Sequence, residues 1–390
     1  MRNNNVLGLI FPNMHDKELR DLTGIRALGS VPFGGRYRLI DFVLSNMVNA
    51  GITKVGIITK SHYQSLMDHI GSGKSWDLSR KNEGLFFLPP LGVDDEQYNG
   101  RVASLMDVRP FLFNSREEYV VMSDCHVVGS IDYDELVEEH VKRGADITVC
   151  YREGTSPQWQ DNMCLKMDKN GRITDIVVDG GAPGGTMWSD GATRRHDVKK
   201  SGGAACRANG IGLYIAGKEI LLRLIEDAYS RGQMQFERDI LMKQTKNLRM
   251  FGAPVKAMTM VIADLPSYFD AHQQLLQKPV RDALFGVWPV YTKVRDCAPA
   301  MYGLQAEVGN SLLADGVRID GRVQNSIVFR DVQVEEGAVV ENCILMQGTV
   351  VSRHARMSAV IADKNVVIRE GRTLAGCDTY PVFIGKDSVV

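Results

Sequence analysis

The chain has 390 residues, of which 46 are Lys or Arg, 47 are Asp or Glu, and 44% are hydrophobic. This length can bury two cores, so the sequence predicts two domains, and the balanced charge argues against nonspecific nucleic-acid binding and against a polybasic membrane surface. No apolar stretch approaches the roughly 20 residues of a membrane span, and the N-terminal apolar run is too brief for a signal peptide, so we expect a cytoplasmic protein with neither a nucleic acid nor a membrane as partner.

The first two thirds of the chain alternate strand-like and helix-like runs, which predicts a mostly parallel sheet with helices on both faces. The predicted strands are residues 6–10, 54–59, 119–122, 147–151, 164–167, 173–178 and 212–215. The predicted helices are residues 39–50, 63–69, 133–143, 218–231, 237–243 and 267–276. A glycine-rich polar segment, residues 180–203, predicts a mobile surface loop.

The pattern changes after residue 278, where three widely spaced prolines predict a connector over residues 279–306. A repeat of 17 residues then aligns Val323 with Val340 and Met357, and an aliphatic residue returns every five or six positions. This period fits a β-solenoid with three short faces per coil better than a helix or a sandwich. The predicted domains are residues 1–278 and 307–390.

The seven cysteines are odd in number and widely spaced, and no Cys-x-x-Cys motif occurs. This usage predicts small buried residues in a reducing compartment, with neither a disulfide nor a zinc site.

The loop after the first predicted strand has the position of a phosphate-binding loop but a different chemistry. Such loops in α/β proteins hold phosphates with small residues and backbone N–H groups. This loop has no glycine between Phe11 and Thr23, and it carries Asp16, Glu18 and Asp21. A polyphosphate would therefore meet side chains and negative charge.

Several segments closely resemble the bacterial glucose-1-phosphate adenylyltransferases (ADP-glucose pyrophosphorylases), in the family's order and over nearly the whole chain. They are SVPFGGRYRLIDF at 30–42, NAGI at 49–52, IDY at 131–133, GRI at 171–173, FERDI at 236–240 and WPVYT at 288–292. The resemblance implies an α/β, Rossmann-like nucleotidyltransferase domain, then a left-handed parallel β-helix, in a tetramer. It also implies a reaction that joins ATP and glucose 1-phosphate into ADP-glucose and pyrophosphate for glycogen synthesis, with Mg²⁺ held by two aspartates.

The chain departs from this family at the positions that carry catalysis. Phosphate-loop glycines, cations, the lysine that pairs with the sugar phosphate and the second metal aspartate are all replaced, and residues 100–104 lack the family's acid. The replaced positions are Asn13, Met14, Asp16, Glu18, Leu28, Asp179 and Val261. Glycines admit backbone amides to phosphates, and cations stabilise the charge that develops on pyrophosphate, so these losses predict that the chain has no catalytic residues of its own.

One metal position stays open. Asp124 is either a remaining Mg²⁺ ligand or a polar residue at a strand end, and a single carboxylate makes a poor Mg²⁺ site. We therefore expect no cofactor for this chain, and Mg²⁺ only in a catalytic partner.

Cations are kept in the run Gly35–Arg38, and in the family the position of Arg36 lies near an effector-phosphate site between the domains. Arg36 and Arg38 are thus effector-binding candidates, the alternative being a structural ion pair or a contact at a helix start. Arg353, with its neighbours His354 and Arg356, either belongs to the same site or forms a solvated coil edge.

The retained scaffold and the altered catalytic positions resemble most the GlgD-type regulatory subunits of this family. This predicts a regulatory, non-catalytic subunit that modulates ADP-glucose synthesis in a hetero-tetramer with the catalytic subunit, and responds to a phosphate or sugar-phosphate effector. Two alternatives stay open: an active sugar-phosphate nucleotidyltransferase with an atypical loop, and a stand-alone sugar-phosphate sensor.

Overall fold

The computed structural model describes residues 5–16, 19–81, 83–89, 100–154, 163–178 and 207–390. These residues form a Rossmann-like α/β domain followed by a left-handed parallel β-helix, as the sequence predicts. The predicted loop at 180–203 lies outside the described residues. No helix within them is long and apolar enough to cross a membrane.

The strands of the α/β domain are β1 (Val6–Phe11), β2 (Pro32–Phe33), β3 (Tyr37–Arg38), β4 (Lys54–Ile58), β5 (Gly84–Leu88), β6 (Tyr119–Asp124), β7 (Val127–Gly129), β8 (Ile147–Glu153), β9 (Met163–Met167), β10 (Ile173–Val178), β11 (Ala208–Gly217), β12 (Met250–Pro254) and β13 (Thr259–Val261). Its α-helices are α1 (Arg20–Thr23), α2 (Leu39–Asn49), α3 (Gln64–Ile70), α4 (Arg101–Asp107), α5 (Arg109–Phe113), α6 (Tyr133–Arg143), α7 (Lys218–Ser230), α8 (Leu265–Leu275) and α9 (Lys278–Phe285). Short 3₁₀-helices span Leu28–Ser30 and Lys74–Trp76, and a π-helix spans Phe236–Leu241. Every strand and helix predicted above has a counterpart here.

The central sheet places β5, β4, β1 and β6 side by side and parallel, and β11 joins β6 in the antiparallel direction. Side chains of β1 alternate between its faces: Leu7 and Leu9 pack beneath α4 and α7, while Val6 and Ile10 pack beneath α2 and α6. This confirms a sheet covered by helices on both faces. The carboxyl ends of β1 and β6 are adjacent, so the loop after β1 faces the end of β6.

The β-helix contains three parallel sheets of five strands each. Val323 pairs with Val340, and Val340 pairs with Met357, which is the predicted 17-residue interval. Its strands are β14 (Met301–Tyr302), β15 (Glu307–Gly309), β16 (Leu312–Leu313), β17 (Arg318–Ile319), β18 (Arg322–Gln324), β19 (Ile327–Val328), β20 (Gln333–Val334), β21 (Val339–Glu341), β22 (Ile344–Leu345), β23 (Val350–Val351), β24 (Arg356–Ser358), β25 (Val360–Ala362), β26 (Val367–Ile368), β27 (Thr373–Ala375) and β28 (Val382–Ile384).

The segment predicted as a connector contains regular structure at both ends. Its first proline lies in the first turn of α9. A backbone N–H at this position would have no partner within the helix, so the absence of an N–H in proline costs nothing there. Its last residues form β14, which pairs with β17 and begins the first coil.

The two domains share a buried core and a buried ion pair. Phe33 and Tyr268 of the α/β domain belong to the same apolar cluster as Phe329 of the β-helix. Beside it, Nη1 and Nη2 of Arg26 donate to Oδ1 and Oδ2 of Asp363 at 2.9 and 2.7 Å. Both side chains are almost fully buried, so the pair fixes how the domains dock.

One cysteine prediction is wrong. Cys164 on β9 is disulfide-bonded, and its partner lies outside the described residues. The spacing of the cysteines along the sequence did not reveal this bond, because the fold sets the surroundings of Cys164. Cys164 lies opposite Asn209 of β11, which is far from it in the sequence. Among the described residues, five cysteines are free: Cys125, Cys150, Cys297, Cys343 and Cys377.

The Asp363→Ala variant is expected to lower the free energy of unfolding by about 3–5 kcal/mol, because it leaves the Arg26 guanidinium buried without its counter-ion. Urea denaturation measures this loss. As a control, Asp282→Ala removes the exposed pair with Lys278 on α9 and is expected to cost less than about 1 kcal/mol. The double variant Arg26→Met/Asp363→Leu should regain most of the loss, and a double variant as unstable as Asp363→Ala would contradict the assignment.

Candidate functional site

The loop after β1 is closed by its own side chains. Oδ1 of Asp16 accepts the backbone N–H of Leu28 at 2.8 Å, and Oδ2 accepts Nδ2 of Asn13 at 2.6 Å. The backbone oxygen of Asp16 accepts the hydroxyl of Thr23 at 2.5 Å. Burial raises the pKa of Asp16 against the opposing effect of these bonds. The Asp16 carboxylate is therefore already engaged by donors of the protein itself.

The other altered positions contribute bulk instead of charge. Met14 packs against the core beneath α4 and α7, and Leu28 is buried in the interdomain core. Val261 ends β13 and packs against the opposite face of the sheet. Glu18 and Asp179 lie outside the described residues. None of the described positions restores a cation or a metal-binding carboxylate.

Asp124, at the end of β6, is held by a buried arginine. Nη1 and Nη2 of Arg101, the first residue of α4, donate to its two carboxylate oxygens at 2.9 Å each. Nε of Arg101 donates to Oε1 of Glu237 at 3.1 Å, and the guanidinium lies 4.4 Å from the ring centre of Phe11 and 5.1 Å from that of Tyr214. The guanidinium is thus matched by two carboxylates and enclosed by two aromatic rings.

Arg101 and Asp124 each keep the other in its charged form. Burial alone would raise the pKa of Asp124, but the Arg101 guanidinium outweighs burial and holds that pKa well below its usual range. Burial likewise would lower the pKa of Arg101, and the carboxylates of Asp124 and Glu237 raise it instead. Both groups stay ionised, since each supplies the counter-charge that the other loses with water.

These residues do not fit Mg²⁺, which requires several oxygen ligands in near-octahedral geometry. Both oxygens of Asp124 accept hydrogen bonds from Arg101, and the nearest further metal-binding groups are the imidazoles of His15 and His126. A Mg²⁺ ion here would meet one carboxylate that is already paired with a cation.

A second site lies between the domains and contains six cations. This open cleft is lined by Arg36 and Arg38 from the β2–β3 hairpin, by Lys293 and Arg295 after α9, and by Arg330 and Lys364 from the β-helix. Gly34 and Gly35 have φ of 60° and 85°, which lets the hairpin turn tightly toward the β-helix. No acidic side chain lines this cationic cleft among the described residues.

Burial lowers the pKa of three of the cations in the cleft. Within the described part of the chain, Nε and Nη2 of Arg330 are buried without a hydrogen-bond partner, and burial lowers its pKa, with Arg36 adding to the effect. Burial, reinforced by Arg38, lowers the pKa of Lys364 to about 7. The same burial lowers the pKa of Arg38 to about 10. These shifts mark a site that favours an anion.

Comparison with known proteins agrees with both domains. Residues 16–178 match the Nucleotidyl transferase family, and residues 299–380 match the family described as GlmU-like, C-terminal hexapeptide. The chain is 32% identical over 391 residues to the Glycogen biosynthesis protein GlgD of Bacillus subtilis (strain 168), which covers 100% of this chain and 98% of the relative. The chain belongs to the family of GlgD proteins and glucose-1-phosphate adenylyltransferases.

Two further members of this family were compared. The Glycogen biosynthesis protein GlgD of Geobacillus stearothermophilus is 32% identical over 341 residues, covering 87% of this chain and 83% of the relative. The Glucose-1-phosphate adenylyltransferase of Thermosipho africanus (strain TCF52B) is 30% identical over 342 residues, covering 86% and 78%.

The resemblance to the family identified some residues of each site and missed others. Arg36 and Arg38 do line the cleft, whereas Arg353 is exposed on a coil turn and is not among the lining residues. Sequence reasoning missed Arg101, although it noted the lost acid in the same segment, and an arginine that opens an apolar helix was the available signal. It also missed four cleft cations: Lys293, Arg295, Arg330 and Lys364.

Acid is expected to destabilise the protein through His272, which supports the hairpin of the cleft. Its Nε2 accepts the N–H of Gly34 at 3.2 Å and its Nδ1 lies 2.9 Å from the carbonyl oxygen of Tyr268, so the folded state holds the ring neutral. Burial lowers its pKa from 6.5 to about 4. As the pH falls from 6.5 to about 4, His272 is protonated in the unfolded chain but stays neutral in the folded chain. The free energy of unfolding should therefore fall by up to about 1.4 kcal/mol per pH unit in this range.

Unfolding midpoints measured from pH 7 to 5 test this. The His272→Leu variant is expected to be less stable at pH 7, where it lacks the bond to Gly34, and to show a shallower decline with acid. His140, whose pKa burial also lowers to about 4, is present in both proteins, so a difference in slope reports His272. Equal slopes would contradict the prediction.

Proposed function

We propose that this chain is a regulatory, non-catalytic subunit of glucose-1-phosphate adenylyltransferase that modulates ADP-glucose synthesis in glycogen biosynthesis, in the cytoplasm. It acts in a hetero-tetramer with a catalytic subunit of the same fold. Mg²⁺ belongs to that subunit, and this chain needs no cofactor. The proposal accounts for an adenylyltransferase scaffold that is kept over its whole length while its catalytic positions are filled with other chemistry.

The observation that carries the proposal is the buried pair of Arg101 and Asp124. Nucleotidyl transfer needs a divalent cation between carboxylate oxygens and the phosphates. Here Arg101 donates to both oxygens of Asp124, and Asp16 closes the phosphate loop on itself. A nucleotide would have to break both arrangements and bring its negative charge beside Asp16.

The cationic cleft supports the effector part of the proposal. Six cations around one cavity suit a ligand with more than one phosphoryl group, such as a sugar bisphosphate, or inorganic phosphate. Arg38 belongs to the α/β domain and Arg330 to the β-helix, so a bound anion would contact both domains. Differential affinity for two domain arrangements is what an effector needs to act on a partner.

Exposed apolar side chains on the first coil support association with another subunit. Met301 and Tyr302 on β14 are each 58% exposed, and Leu304 beside them is fully exposed. Apolar side chains grouped in this way on a surface mark a protein–protein contact more often than an isolated one does. An end coil of a solenoid also needs a cover for its open edge.

Activity assays of three samples test the catalytic assignment. The pure chain with ATP, glucose 1-phosphate and Mg²⁺ should form no ADP-glucose or pyrophosphate above background. The catalytic subunit alone should be active, and mixing the two should change its rate or its substrate affinity. Turnover by the pure chain would overturn the proposal in favour of an active nucleotidyltransferase. A mixture equal to the catalytic subunit alone, with no complex on size-exclusion chromatography, would favour a stand-alone sensor.

Anion binding to the cleft is expected to depend on Lys364. A bound phosphoryl group restores the charged form of Lys364, so binding should take up a proton above pH 7, and affinity should fall by up to about tenfold per pH unit from pH 7 to 9. The phosphate esters of a hexose bisphosphate are already largely dianionic in this range and add little slope, so the pH dependence is read from that ligand. Calorimetry with inorganic phosphate and with a hexose bisphosphate measures both effects.

Matched variants separate the cleft from the surface. Lys364→Met should weaken binding at pH 7 and flatten the pH dependence, and Arg330→Met should weaken binding about tenfold or more at every pH. Lys386→Met, which removes an exposed lysine of the β-helix, should leave binding unchanged. Equal affinities in all three variants would show that the anion binds elsewhere.

A further inference from the structure

Three side chains with metal-binding atoms meet where β1 and β6 end. His15 lies in the loop after β1, Asp124 ends β6, and His126 follows two residues later. One ligand atom from each lies within 4.8 Å of the others. Nε2 of His15 is 3.3 Å from Oδ2 of Asp124, and the two imidazole ring centres are 4.1 Å apart.

We propose that His15, Asp124 and His126 form a binding site for one transition-metal ion of the Zn²⁺ class, in place of the family's Mg²⁺ site. Tetrahedral Zn²⁺ with bonds of about 2.0–2.1 Å places its ligand atoms roughly 3.4 Å apart, close to the separation of His15 and Asp124. Two imidazoles and one carboxylate suit Zn²⁺, Co²⁺ or Ni²⁺, whereas Mg²⁺ takes oxygen ligands. The fourth position is left for water.

The negative charges near the three ligands, and the hydrogen bonds that orient Asp124, favour the binding of a cation. Asp124 and Glu237 carry two negative charges against the single positive charge of Arg101, and Asp16 adds another negative charge that acts on His15. Arg101 also fixes the orientation of the Asp124 carboxylate through two hydrogen bonds. Hydrogen bonds of this kind to a ligating carboxylate orient it for the metal.

The three ligands differ in exposure, so the site is mostly buried but an ion can still reach it from solvent. The side chain of Asp124 is 2% exposed and His126 is buried, while the side chain of His15 is 23% exposed. An ion can therefore enter past His15, and movement of this loop side chain adjusts the distances. The site is independent of the proposed regulatory role, since it involves none of the cleft residues.

Titration of the full-length chain with Zn²⁺ in a calorimeter, and with Co²⁺ by absorption spectroscopy, tests the site. We expect one ion per chain and visible Co²⁺ bands typical of tetrahedral coordination by nitrogen and oxygen. His15→Gln and His126→Gln should each lower Zn²⁺ affinity at least about tenfold and remove the bands. His354→Gln, which changes an exposed histidine of the β-helix, should bind as the unaltered chain does, and Mg²⁺ in large excess should not displace Zn²⁺.

Each contrary result overturns the proposal. It fails if the unaltered chain binds no ion, if both histidine variants keep its affinity, or if the Co²⁺ spectrum shows thiolate ligation. Unfolding midpoints without metal report whether His126→Gln, at a buried position, still folds. If it does not, the part-exposed His15→Gln decides the question.

Discussion

The pairing of Arg101 with Asp124 is the interaction on which the character of the α/β domain depends. Withdrawing a guanidinium and a carboxylate from water costs several kcal/mol for each ion, and only close, well-satisfied geometry offsets that cost. Arg101 meets this condition, because its donors reach Asp124 and Glu237 and its plane lies near two aromatic rings. The protein thereby holds a fixed cation of its own beside the carboxylate that ends β6.

The two sites described above differ in their electrostatics. At the end of β6, Arg101 pairs with two carboxylates inside the protein, and Asp16 binds a backbone N–H at the end of the loop after β1. Between the domains, cations crowd together, and within the described residues two nitrogens of Arg330 have no hydrogen-bond partner. A folded chain tolerates such crowding where water or a ligand supplies the missing charge, which is why we propose that an anion binds in the cleft.

The fold was predictable because its signals are local and repeated. The alternation of strand-like and helix-like runs and the 17-residue period each repeat a pattern that burial requires, so the sheet and the β-helix follow from the sequence. The sites were only partly predictable. Arg36 was found through a continuous segment, whereas Arg330 and Lys364 join it only when the β-helix docks on the α/β domain. No local pattern encodes that docking, and none indicated the disulfide at Cys164.

The Arg101 contacts also constrain how such a sequence can change over generations. Replacing Arg101 by a small neutral residue would remove the guanidinium that pairs with the buried Asp124 and with the part-exposed Glu237, and such a single substitution would therefore be destabilising. The phosphate loop imposes a second such step, since removing Asp16 frees the N–H of Leu28. A lineage that has acquired both arrangements can change freely on its surface, but it can alter these two arrangements without loss of stability only through several coordinated substitutions. The buried interactions of the interior therefore resist reversal by single substitutions.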